Sequence, residues 1–295
     1  MNLRRTFIGY LALAVVLAIW TIPASAQRPV RSATAQPFEP AEELIYEAEF
    51  SRSLLRKLDI ADFKFTANRT QLNKQPKTSS VENGQSPHVL VLTGDVTSKG
   101  FFARLFNLKF RERMESVVDP ATFSVENSKR LDEQGKRVRQ SEAVFDKTAG
   151  TVVWTEHDPR NPSGPTRRVT GEFKPPVQDV LSAIYYLRTQ PLRVGSNFEL
   201  KVSDSGVVYT VPIRVVEKKR MKSILGRTDS VKVEVGLFGA SGMIDREGQF
   251  SIWFTDDARR IPISGRVKTE YGTFDIKLKK VVRNPNAQQY LTKKP

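Results

Sequence analysis

Two aspartates and two arginines stand nearly side by side in Asp256-Asp257-Ala258-Arg259-Arg260, inside an otherwise apolar stretch. Paired carboxylates perform acid–base chemistry when their environments push their pKa values apart. The flanks, Phe250–Thr255 and Ile261–Val267, both have strand character. An aspartate that starts a tight turn bonds backbone N–H groups two residues on. Neighbouring aspartates on such a turn cannot both face one reacting atom without strain. The stretch therefore reads as a turn closed by Asp–Arg pairs, and the enzymatic alternative is an envelope hydrolase using Asp256 or Asp257.

Other chemistries lack their parts. The 295 residues contain no cysteine, which excludes disulfides, thiolate nucleophiles and iron–sulfur clusters. The two histidines, His88 and His157, are far apart. Glu156-His157-Asp158 has ligand-type side chains, but neighbours on a strand point to opposite faces, and a catalytic zinc takes three convergent protein ligands. Gly239-Ala240-Ser241-Gly242 fails as a nucleophile elbow, because Met243 stands where the last glycine belongs. No P-loop and no dinucleotide fingerprint is present. The expectation is a non-enzyme with no cofactor and no metal.

The elements that must position these residues are mostly strands. Leu44, Tyr46, Ala48 and Phe50 alternate with polar neighbours, as do Ala61, Phe63, Phe65 and Ala67. His88–Val96 continues the pattern, and three strands lie between Thr122 and His157, separated by Gly-containing turns. Val207, Tyr209, Val211, Ile213 and Val215 share one face, as do Val231, Val233, Val235 and Leu237. Asp204-Ser205-Gly206 and Tyr271-Gly272 mark hairpins; Asn73–Pro87 and Asp158–Pro165 read as loops. One segment has helical spacing. Val177, Val180, Leu181 and Ile184 follow it, Asp179 stands at a capping position and Pro191 closes the segment. About a dozen strands with short connections and no helical crossovers imply an antiparallel sheet. The fold class is mainly β, a curled half-barrel or barrel-like sheet with one helix packed on it near residues 177–189.

The first residues carry an address. Arg4 and Arg5 precede an uncharged apolar run, Phe7–Trp20, and Ala24-Ser25-Ala26 forms a small-x-small cleavage site. The division is a signal peptide at 1–26, a disordered leader at 27–41, one β-rich domain at 42–283 and a flexible basic tail at 284–295. After cleavage no transmembrane segment is expected. The formal charge of +15 loses two arginines, to give +13. The location implied is the periplasm of a Gram-negative bacterium, with secretion as the alternative. There the partners of a basic protein are anionic lipid or an envelope polymer, not nucleic acid.

Asp179, Leu181-Ser182-Ala183, Tyr185-Tyr186-Leu187-Arg188, Gly195, Trp253, Asp256-Asp257 and Arg259-Arg260-Ile261-Pro262 together resemble the bacterial exported family known as domain of unknown function 3108. The likeness is good over 178–281, looser over 42–173 and absent from the leader. That family has no established activity, so the resemblance implies location and fold class only. It implies further that Arg188, Trp253, Asp256, Asp257, Arg259 and Arg260 form one helix–turn arrangement, with Arg188 bonding the turn's carboxylates.

A curled sheet with one short helix has a concave face that the helix covers only in part. The expected function is non-catalytic binding of an amphipathic or lipid-like envelope molecule. Tyr209, Val211 and Val233 are candidates for its wall, and Phe101, Phe102 and Phe106 for a lid. A scaffold that pairs partner chains at its sheet edges is the other alternative.

Overall fold

The computed structural model describes residues 37–38, 41–53, 55–71, 88–99, 109–239, 242–244 and 247–283, all within the unit Ala35–Pro295. The predicted signal peptide, residues 27–36 of the predicted leader, the Asn73–Pro87 loop, Phe101–Phe106 and the tail lie outside the described residues.

Alternating sequence becomes strand almost throughout. The strands are β1 (Glu42–Arg52), β2 (Leu55–Gln71), β3 (His88–Ser98), β4 (Phe110–Asp119), β5 (Ser124–Gln134), β6 (Arg137–Asp146), β7 (Thr151–His157) and β8 (Arg167–Glu172). After them come β9 (Gln178–Asp179), the helix α1 (Val180–Thr189), β10 (Asn197–Asp204), β11 (Val207–Ser223), β12 (Gly226–Val235), β13 (Gly248–Thr255), β14 (Pro262–Thr269) and β15 (Gly272–Val282). All fifteen strands belong to one sheet, ordered β8-β7-β6-β5-β4-β3-β2-β1-β15-β14-β13-β12-β11-β10-β9. First and last strands therefore pair at the middle, Ala48 opposite Ile276 and Tyr46 opposite Leu278. An arm of neighbouring hairpins runs outward from each side of this seam.

A twisted open sheet of more than about ten strands curls, and this one does. It is not hydrogen-bonded into a closed barrel, since β8 and β9 end the order. The arms nevertheless touch where β8 meets the β10–β11 turn. A Cβ on Gly171 would stand 2.3 Å from the carbonyl oxygen of Gly206, so only glycine admits this approach.

The predicted fold class holds, with three differences of detail. Fifteen strands replace about a dozen. The helix starts at Val180 instead of Val177, because Gln178 and Asp179 pair with Val202 and Ser203 of β10. That pairing is parallel, the sheet's one departure from antiparallel order among the described strands, and α1 is the crossover that parallel strands require.

The helix lies in the concavity and packs on both arms. Leu187 joins Leu192, Val211, Ile213, Val233 and Phe254 on one side. Leu181 and Tyr185 join Phe38, Ala67, Leu90, Leu92 and Phe123 on the other. Its buried side is Leu181, Ser182, Tyr185, Leu187 and Arg188. Val180, predicted to face the core, is 44% exposed. Apolar spacing alone put the stripe one position too early, because it gave no weight to an arginine as a core residue.

Candidate functional site

The helix is fixed at its start by a reciprocal cap. Asp179 Oδ1 accepts from the Ser182 N–H at 2.7 Å, and the Asp179 N–H donates to Ser182 Oγ at 2.9 Å. Ser116 Oγ of β4 donates to the other carboxylate oxygen at 2.5 Å. Burial pushes the Asp179 carboxyl up, and these hydrogen bonds offset that in part.

The helix end is held by Arg188, which is fully buried. Its guanidinium grips Glu42 of β1 with both ends, Nη1 to Oε1 at 2.6 Å and Nη2 to Oε2 at 3.1 Å. Nη2 also donates to the Pro37 carbonyl, and Nε to the Arg259 carbonyl at 3.2 Å. The rings of Phe38 and Tyr185 lie 5.1 and 5.5 Å from the guanidinium carbon. In return, Arg260 Nη1 donates to the Arg188 carbonyl at 3.1 Å. Helix and turn are thus linked, as the resemblance implied, but not through the turn's carboxylates. Those are engaged locally. Asp257 accepts from Thr255 Oγ1 at 2.8 Å, from the N–H groups of Arg259 and Arg260 at 3.1 Å, and from the Arg259 side chain. Burial would raise its carboxyl, but these donors outweigh it and hold the group below the usual carboxylate range. Asp256 points away to Lys218, at 2.6 Å. The two carboxylates share no partner, and each is occupied in structure.

Beside the helix a slot remains. Ile184, Tyr185 and Arg188 form one wall; Leu44, Phe65, Phe250, Ile252 and Ile276 line the sheet side. Its volume is about 130 Å³, and the lining is almost wholly apolar. The slot owes its depth to Gly265 on β14. Register places Gly265 between Ile252 and Ile276, and a Cβ there would meet nothing closer than 3.7 Å. Two tyrosines of the lining carry hydroxyls. Tyr46 donates its proton to the Pro262 carbonyl at 2.7 Å. The Tyr185 hydroxyl is buried and has no partner among the described residues, and burial raises its pKa.

The chain carries the helix–turn residues in the order the resemblance requires, and the model of the family "Protein of unknown function (DUF3108)" matches residues 61–279. The chain belongs to that family. No curated protein matches it. Among solved structures, a β-barrel-like protein of domain of unknown function DUF1849 from Brucella abortus aligns over 83% of this chain and 98% of its own, at 9% identity and a TM-score of 0.48.

In this DUF3108 chain the other predicted site residues fall in different places. Phe101, Phe102 and Phe106 lie outside the described residues. Val211 and Val233 are buried beneath Leu187, and Tyr209 is half-buried at the edge of the same cluster. None of the three borders the slot. Trp253 is half-buried and packs with Ile261, Ile263 and Leu278. Glu156 and Asp158 have separate arginine partners, Arg167 and Arg139. No group of three or more His, Asp or Glu side chains among the described residues could hold a metal, and none of their helices is long and apolar enough to cross a membrane. Sequence reasoning missed Glu42, although it stands in phase with Leu44, Tyr46 and Ala48 on the inward face of β1.

Proposed function

We propose that this protein is an exported, non-catalytic binding protein of the bacterial envelope, and that the slot beside α1 holds the apolar end of an amphipathic molecule. The observation that carries this reading is an apolar space beside α1 that no side chain fills, next to a Tyr185 hydroxyl without a partner among the described residues. A buried donor without a partner costs about 1–3 kcal/mol, and packed interiors leave few voids. A ligand with a hydrogen-bond acceptor beside its apolar end would relieve both. Apolar cavities of about 150 Å³ stay dry and take a benzene-sized group, so the slot suits one end of a molecule whose remainder lies outside. The +13 charge of the cleaved chain would favour an anionic remainder.

The test is fluorescence titration with cis-parinaric acid, a probe with an apolar chain and an acceptor head. Emission should rise on binding to the parent and not to Gly265→Val, whose side chain occupies the slot without backbone strain. No rise, or an equal rise with Gly265→Val, overturns the reading. Export is tested by intact mass: cleavage after Ala26 leaves Gln27 as the first residue, and a mass that retains Met1–Ala26 refutes it.

A further inference from the structure

The concave face has two characters. Along β1, β2 and β13–β15 it is apolar. Along β4–β7 the inward positions are largely polar. Register sets Ser116 of β4 opposite Ser128 of β5, and Met114 opposite Arg130. Arg130 stands opposite Ser141 of β6, and Asp132 opposite Arg139. Glu156 of β7 follows beside Ser141, and Trp154 beside Ala143. These positions are in phase with the buried Val118 and Phe145, so alternation alone calls for apolar side chains there. Instead they border a cleft of about 230 Å³, closed on the far side by Ser203 of β10 and the start of α1.

Two features of its lining select a ligand class. First, the three arginines of the lining are already matched. Arg130 pairs with Glu112 at 2.6 Å, Arg139 with Asp158 at 3.3 Å, and Arg137 with Asp132. An anionic ligand would have to displace a carboxylate from one of these pairs, whereas a hydroxyl can accept from a guanidinium and donate to a carboxylate while the pair persists. Second, Ser141 and Ser203 are buried, yet the hydroxyls of Ser128, Ser141 and Ser203 have no hydrogen-bond partner among the described residues. They are donors and acceptors held toward a space that no side chain fills. We propose that this cleft binds a neutral polyhydroxylated molecule, a sugar ring or the sugar of a larger envelope molecule. The site is separate from the apolar slot and does not depend on it.

Saturation-transfer NMR on the purified chain tests this, with glucose, N-acetylglucosamine and maltose as neutral probes and glucuronic acid as the charged comparator. At least one neutral probe should receive saturation. Ser141→Val and Ser203→Val should each weaken it about tenfold or more, because a site built to bond hydroxyls loses affinity when its partners are removed. Ser128→Ala, at a half-buried position, supplies the same readout if a valine variant fails to fold. Gly265→Val should leave sugar binding unchanged, which separates this site from the slot. No transfer to any neutral probe overturns the proposal. So does undiminished transfer in folded serine variants, or tighter binding of glucuronic acid than of every neutral sugar.

Discussion

Arg188 and Glu42 are 146 residues apart and form a two-pronged ion pair at 0% and 4% side-chain exposure. The pair joins the end of the only helix described to the first strand, and through the Arg259 carbonyl to the turn after β13. Breaking a buried pair by neutralising one side strands the other charge, at about 3–5 kcal/mol. Glu42→Gln should cost that much in urea denaturation at pH 7. Joint replacement by Glu42→Leu and Arg188→Met should recover a large part of the loss, since well-packed apolar groups often match a buried pair. A loss below about 1 kcal/mol for Glu42→Gln would mean that the Pro37 and Arg259 carbonyls suffice to hold the guanidinium.

Asp179 should make stability fall with rising pH. Its folded pKa is raised, chiefly by burial, so in the window above the unfolded value of about 3.9 the folded state holds more protons than the unfolded state. Stability is then lost as pH climbs from that value through the folded one. Asp179→Asn keeps the cap and removes the titration. The variant's stability relative to the parent should therefore grow between pH 4 and pH 7. A difference that stays flat over that range would place the carboxylate in a well-solvated setting.

Asp257 has the opposite sign. Its folded pKa is depressed, so its contribution is complete above the unfolded value and disappears as pH falls through the folded one. Asp257→Asn should cost about 1 kcal/mol at pH 7, and the deficit should shrink below about pH 4. Equal melting temperatures at pH 7, with a cellular function lost, would favour chemistry at this turn over architecture.

Much of this fold is legible in the sequence because most inward strand positions are apolar and their neighbours polar. The alternation of Leu44, Tyr46 and Ala48, and the run from Val207 to Val215, need no partner strand to be recognised. The Asp256–Arg260 turn is legible for a similar reason: the hydrogen bonds of the Asp257 side chain close within three residues. The Arg188–Glu42 pair is not, because it depends on which strands meet after the chain has curled. Nor is the slot, which exists where one missing side chain, Gly265, falls in register between two isoleucines. The polar cleft breaks the alternation rule outright. Arg130, Ser141 and Ser203 read as solvated residues until the register shows them facing inward.

Tyr185→Phe separates the empty protein from the occupied one. Without ligand, removing the unpartnered hydroxyl should raise stability by about 1 kcal/mol, measured by thermal melting of a delipidated sample. Binding of cis-parinaric acid should weaken by about fivefold to tenfold. A variant that is less stable when empty would show that the hydroxyl is satisfied by water in solution.

The pairing of β1 with β15 at the centre of the sheet bears on how the chain assembles. Each arm is built from neighbouring hairpins, which close quickly because little chain separates their strands. The seam joins residues such as Glu49 and Lys277, 228 positions apart along the chain, so a ribosome must deliver almost the whole domain before the first strand acquires its second neighbour. The same geometry makes the order of strands nearly circular. A permutant that linked Val282 to Glu42 and opened the chain between β8 and β9 would read the sheet from one edge to the other in a single pass, with every pairing local.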